Sequence, residues 1–135
     1  SDVYKRQNRD KALALEPARL MAKLGFRIYA TAGTHEYFTK NQIDSILVKK
    51  ESENNSGFQA PTPLEIINQN QVNLIINTPL GRGTRHDGWL IRTAATTKNI
   101  PLITTISGFK AAANGIRELQ DNKYGVRSLQ EWQIA

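Results

Sequence analysis

Three turns in this 135-residue chain carry residue types suited to binding an anion: Thr31–Ala32–Gly33–Thr34, Asn77–Thr78–Pro79–Leu80–Gly81–Arg82–Gly83 and Thr104–Thr105–Ile106–Ser107–Gly108. Each sets hydroxyl or amide groups beside glycine, ahead of a predicted helix. Glycine lets the backbone approach a ligand closely, and a helix start offers N–H groups to negative charge. Asn77 can donate and accept, Thr78 adds a hydroxyl, and Arg82 and Arg85 can clamp a phosphate or carboxylate with two hydrogen bonds. Lys11 and Lys50 can add positive charge at the same edge. The local alternatives are plain: Thr34 and Ser107 can be helix caps, and the lysines can be solvated surface.

Catalytic chemistry has less to stand on. His86 beside Asp87 is an imaginable acid–base pair. Asp87 also suits a cap for the helix that carries Trp89. The central apolar run, Val72–Ile76, ends in Asn77–Thr78–Pro79, with no ionisable group. The chain has no cysteine, which excludes disulfides, thiolate metal sites and cysteine nucleophiles. Neither a Gly-x-Gly-x-x-Gly fingerprint nor a Walker loop is present. The pattern favours holding a mononucleotide or small phosphorylated metabolite over transforming one, with no catalytic or metal-ligating residue.

The elements that must position these turns follow from hydrophobic spacing. Asp10 can cap a helix with Leu13, Pro17, Leu20, Met21 and Leu24 on one face, stopped by Gly25. Pro17 sits in conflict with that helix. Phe26–Ala30 is a predicted strand, His35–Lys40 a short helix, and Ile46–Val48 a strand. From Lys49 to Ala60 the apolar pattern disappears, and Lys50–Gly57 is too polar to pack and forms a predicted mobile loop. Thr62–Pro63–Leu64–Glu65 combines a cap, a proline at the first helical position and a capping box. After the central strand come a helix around Trp89–Ala95, a strand at Ile100–Thr104 and a helix from about Phe109 to Leu119. Tyr124–Leu129 is a last extended piece. Repeated strand–turn–helix units imply a mostly parallel sheet covered on both faces, with polar turns gathered at its carboxyl edge.

Size and charge set the outer bounds. One domain is expected, and residues 1–7 have no clear pattern. The net charge of +6 favours anionic partners. Its basic residues are scattered, so a nucleic-acid interface is not expected. No apolar stretch approaches membrane-spanning length, and a cytoplasmic domain is the expectation.

Several stretches in fixed order resemble the methylglyoxal synthase-like family, and within it the carboxyl-terminal regulatory domains of carbamoyl-phosphate synthase large subunits. They are Asn8–Arg9–Asp10–Lys11, Leu24–Thr34, Asn73–Pro79, Gly81–Arg82, Asp87–Gly88 with Ile91–Ala95, Ile100–Thr105, and Arg127–Glu131. The resemblance covers nearly everything after residue 7. It implies residues 8–135 as a regulatory domain, a three-layer α/β/α sandwich around a parallel five-stranded sheet. The usual first strand is missing or degraded in residues 1–7.

The resemblance also implies an allosteric effector domain. Its effectors would be a nucleoside monophosphate and, in some members, ornithine. By position, Lys11, Thr31, Thr34, Lys50, Asn77 and Thr78 would hold the effector phosphate. Gly33, Arg82, Thr104 and Thr105 are further candidate contacts. The parent ligase would make carbamoyl phosphate from bicarbonate, glutamine-derived ammonia and ATP with Mg or Mn ions. Its partners would be the catalytic body of the same subunit and a small glutamine amidotransferase subunit. This domain would hold no cofactor of its own. True methylglyoxal synthases use an aspartate after the central strand, where this chain has Asn77–Thr78–Pro79. A phosphate-eliminating lyase, or an effector-insensitive interaction domain, are the alternatives. Pro79 stands where some members have threonine, and residues 51–60 lack the family's His-Glu-Gly-Arg-Pro-like loop.

Overall fold

The computed structural model describes residues 2–51, 57, 59–77 and 85–122; for residues 2–8, 10, 85 and 86 it describes the backbone alone. The order is α1 (Asp2–Lys23), β1 (Tyr29–Thr31), α2 (Ala32–Lys40), β2 (Ile46–Val48), α3 (Pro63–Asn68), β3 (Ile75–Ile76), α4 (Arg85–Thr97), β4 (Leu102–Ile103) and α5 (Ile106–Asp121).

α1 starts at Asp2, well before the cap expected at Asp10, and it runs through Pro17 without ending. Its buried side is set by Ala14, Ala18 and Met21, at helical spacing. Leu13, expected on that side, is 53% exposed. Gly25 ends the helix as predicted. Its φ of +96° is open to glycine, and Phe26 N–H reaches back to the Met21 carbonyl at 3.1 Å, in the manner of a glycine C-cap.

The strands pair in parallel, β1 with β2 and β3 with β4. Tyr29, Ala30 and Thr31 stand opposite Ile46, Leu47 and Val48. Ile75 and Ile76 stand opposite Leu102 and Ile103. The predicted apolar runs are longer than these ladders, since pairing occupies two or three residues of each run. Among the described residues four strands form, in two pairs, where the resemblance implied a five-stranded sheet. No strand precedes β1 among them.

Helices cover the strands in two groups. α1 packs on α5 and α2, while α3 packs on α4. The first group shares a core of Ala18, Met21, Ala30, Phe38, Ile43, Phe109 and Ala113. Ile76 and Ile103 pack against it from the strands, and Ile28 and Leu74 from the residues just before β1 and β3. Ile66, Ile67 and Ala95 are buried on the second group. The result is the expected small α/β fold, a three-layer sandwich.

Besides α1, three helices start away from where the sequence places them. α2 begins at Ala32, so the Ala32–Thr34 turn is its first turn. α4 begins at Arg85, ahead of Asp87. α5 is capped by Thr105 rather than Ser107, because the Thr105 hydroxyl accepts from Gly108 N–H at 3.0 Å. The chain also turns through left-handed residues at Gln42, Asn70 and Asn99, each just past a helix. The extended piece at residues 124–129 lies outside the described residues, as does most of the 51–60 loop.

The start of α3 is as predicted. Thr62 Oγ1 accepts from Glu65 N–H, and the Glu65 carboxylate accepts from Thr62 N–H, with Pro63 at the first position. Thr62 is only 1% exposed, so water cannot replace the lost bond. Thr62→Ala is expected to lower stability by about 1–2 kcal/mol, measured by urea unfolding. An unchanged midpoint would remove the capping box as a support of α3.

Candidate functional site

The carboxyl ends of the strands gather the residues of interest. Register does this within each pair. Thr31 ends β1 opposite Val48, so Lys50 follows two residues beyond that point on the neighbouring strand. Asn77 follows β3, and Thr104 follows β4, one step past the Ile76–Ile103 pair. Asn77 N–H donates to the Ile103 carbonyl at 2.9 Å, which fixes where the strand stops.

At the β1 edge, Thr31 is the N-cap of α2, yet its side chain makes no capping bond. The first turn of α2 contains no acidic residue. Its leading N–H groups and the positive end of the helix dipole therefore suit an anion. Lys11 arrives there from α1. Its ammonium lies 3.5 Å from where a Cβ on Gly33 would sit. Lys11, Thr31, Gly33 and Thr34 are thus brought together by the packing of α1 beside α2. Thr34 lies inside α2 and is not its cap.

Lys50 is half-buried beside a well-tied segment. Lys49 N–H donates to the Pro61 carbonyl at 3.0 Å, and the Glu51 carboxylate accepts from Leu64 N–H at 2.7 Å. These bonds moor the end of β2 to the start of α3. At the β3 edge, Asn77 Nδ2 lies 4.0 Å from where a Cβ on Gly88 would sit, in the opening turns of α4. Asp87 is 5% exposed. Thr104 is exposed at the end of β4, and the Thr105 hydroxyl is committed to the α5 cap. Thr78, Pro79, Gly81 and Arg82 lie outside the described residues. Among the described residues, no group of three acidic or histidine side chains could hold a metal ion.

Two features were not visible in the sequence. His35 Nδ1 lies 2.7 Å from Ser45 Oγ in a half-buried pair. The pair joins α2 to the strand beside it, and no local spacing marks it. An open groove of ≈ 440 Å³ lies between the end of α4 and the start of β4, lined by Arg92, Ala95, Thr96 and residues 99–102. It opens at the amino end of β4, away from the turns described above. Among the described residues no helix is long and apolar enough to cross a membrane.

An α/β sandwich whose parallel strands end in amide, hydroxyl and ammonium groups defines a class of domain built to present a polar carboxyl edge. The chain belongs to the MGS-like domain family, whose pattern matches residues 13–104. It is similar to the carbamoyl phosphate synthase large chain of Streptomyces avermitilis, with 44% identity over 124 residues, 92% of this chain and 11% of that protein. The large chain of Mycobacterium tuberculosis strain H37Rv is 44% identical over 126 residues, again 92% of this chain and 11% of the relative. That of Corynebacterium glutamicum is 42% identical over 125 residues, with the same coverage. The chain therefore spans about 11% of the length of these curated relatives.

If Lys11 serves a ligand and not the fold, Lys11→Gln should shift stability by no more than about 0.5 kcal/mol. Ser45→Ala, which removes the partner of His35, should cost about 1 kcal/mol. Chemical unfolding of both variants checks the order; a larger loss for Lys11→Gln would make Lys11 a structural strut.

Proposed function

We propose that this chain is an effector-binding regulatory domain of a carbamoyl-phosphate synthase large chain, taking a nucleoside monophosphate by its phosphate. The observation that carries the reading is the Lys11 ammonium set over Gly33 at an α2 start that its own cap, Thr31, does not satisfy. A phosphate there would accept from the first N–H groups of α2 and from the Thr31 and Thr34 hydroxyls. Lys11 would neutralise part of its charge. Lys50, Asn77 and Thr78 would complete the ring from the neighbouring strand ends, with Arg82 and Thr104 as further contacts. Ornithine would bind elsewhere, where the domain meets the rest of the large chain. Residues 8–135 would form the regulatory domain.

The family assignment and the similarity to large chains support the parent enzyme. That enzyme would use ATP and divalent ions and would work with a glutamine amidotransferase subunit, in the cytoplasm. This domain's part would be to bind more tightly to one conformation of the whole enzyme, since only unequal affinity shifts an equilibrium. The strand end supplies amide and hydroxyl groups in place of a carboxylate, which suits binding more than proton transfer.

Calorimetric titration of the complete large chain with uridine and inosine monophosphates, and with ornithine, tests the reading. Binding of one monophosphate is expected. Lys11→Ala and Thr31→Val should each weaken it roughly tenfold, the equivalent of about 1.4 kcal/mol. Absence of binding, with synthase activity indifferent to every effector, would overturn the assignment.

A further inference from the structure

Arg92 lies in the middle of α4, yet its charged end is not there. Long helical side chains lean toward the helix N-terminus, and this one runs back over Gly88. A Cβ on Gly88 would sit 3.1 Å from Arg92 Nη1 and 4.0 Å from Asn77 Nδ2. The guanidinium and the carboxamide nitrogen therefore flank one point at the carboxyl edge. Both are donors, so neither satisfies the other. The group that complements them is an acceptor, and beside a guanidinium the best acceptor is an anion.

The surroundings agree. Arg92 is exposed, so a ligand can reach it. Its guanidinium makes no ion pair among the described residues. The adjacent carboxylate, Asp87, is 5% exposed, with its Oδ1 enclosed. Glycine weakens a helix interior relative to alanine. At position 88 the missing Cβ makes room for the guanidinium.

We propose that Arg92 is a further phosphate-binding residue of this edge, held beside Asn77 over the bare backbone of Gly88. The proposal rests on the edge taking a phosphorylated effector. It gives the phosphate a second cation on the β3–α4 side, complementary to Lys11 on the β1–α2 side. A guanidinium fork can hold two phosphate oxygens at once, which a lysine cannot do with the same geometry.

Calorimetry on the complete large chain, with uridine monophosphate, uridine and inorganic phosphate as probes, tests it. Arg92→Ala should weaken both phosphate-bearing probes roughly tenfold and leave uridine unchanged. Arg92→Lys should fall between. Gly88→Ala should displace the guanidinium and weaken uridine monophosphate several-fold, while the thermal midpoint holds or rises. Unaltered binding to Arg92→Ala, with binding lost in Lys11→Ala, would overturn the role of Arg92 and leave the effector edge intact. A wild-type chain that binds no phosphate-bearing probe would overturn both. A lowered thermal midpoint in Arg92→Ala, with Gly88→Ala binding normally, would make Arg92 a structural support and overturn the proposal.

Discussion

The hydrogen bond from Asn77 N–H to the Ile103 carbonyl, 2.9 Å long, ends the β3–β4 ladder and governs what the edge can display. Up to that bond, backbone groups are consumed by pairing and side chains alternate into the two helical layers. Past it, the Asn77 side chain and the exposed Thr104 stand at the carboxyl edge. The ladder is only two residues long on each strand. Small displacements of either strand would move that edge, so the packing on both sides has to be firm. Ile76 and Ile103 meet that need by packing against the core shared by α1, α2 and α5.

The same division recurs at β1, with a different outcome at each helix start. α3 and α5 each bond one early N–H to the hydroxyl of their own cap residue, Glu65 N–H to Thr62 and Gly108 N–H to Thr105. α2 does not, although Thr31 stands in the capping position with an extended backbone. Threonine at a cap position normally returns its hydroxyl to the helix. Leaving it uncommitted, without an acidic side chain in the first turn, keeps local positive potential at the surface. Among the described helix starts, α3 and α5 thus have a side-chain cap where α2 has none, and the lysine from α1 reaches the α2 start.

Much of this was legible from residue types. The Thr62–Glu65 box, the Gly25 stop and the Ile46–Val48 strand follow from local rules that tertiary structure did not override. The three polar turns fall at strand ends for the same reason: an apolar run that stops abruptly marks the edge of a sheet. What was hidden was non-local. Nothing in the sequence near Lys11 says that its ammonium lies over Gly33, or that Ser45 meets His35. Thr105 and Ser107 are both good cap residues, and only the helix phase decides for Thr105. The position of Arg92 along α4 does not reveal that its long side chain ends over Gly88. Gln42 in a left-handed turn has no propensity signal, unlike Asn70 and Asn99, whose side chains favour that conformation.

α2 also has the build of a lever. Its far end is fastened to α1, where the Arg19 guanidinium donates to the Asn41 carbonyl at 2.8 Å. Its flank is fastened to the chain entering β2 through His35 and Ser45. The helix between these two points is nine residues long. Force applied at its open end would tilt it as a unit and load the contact with α1. A local electrostatic event at the start of α2 would then be passed to α1, the longest helix described.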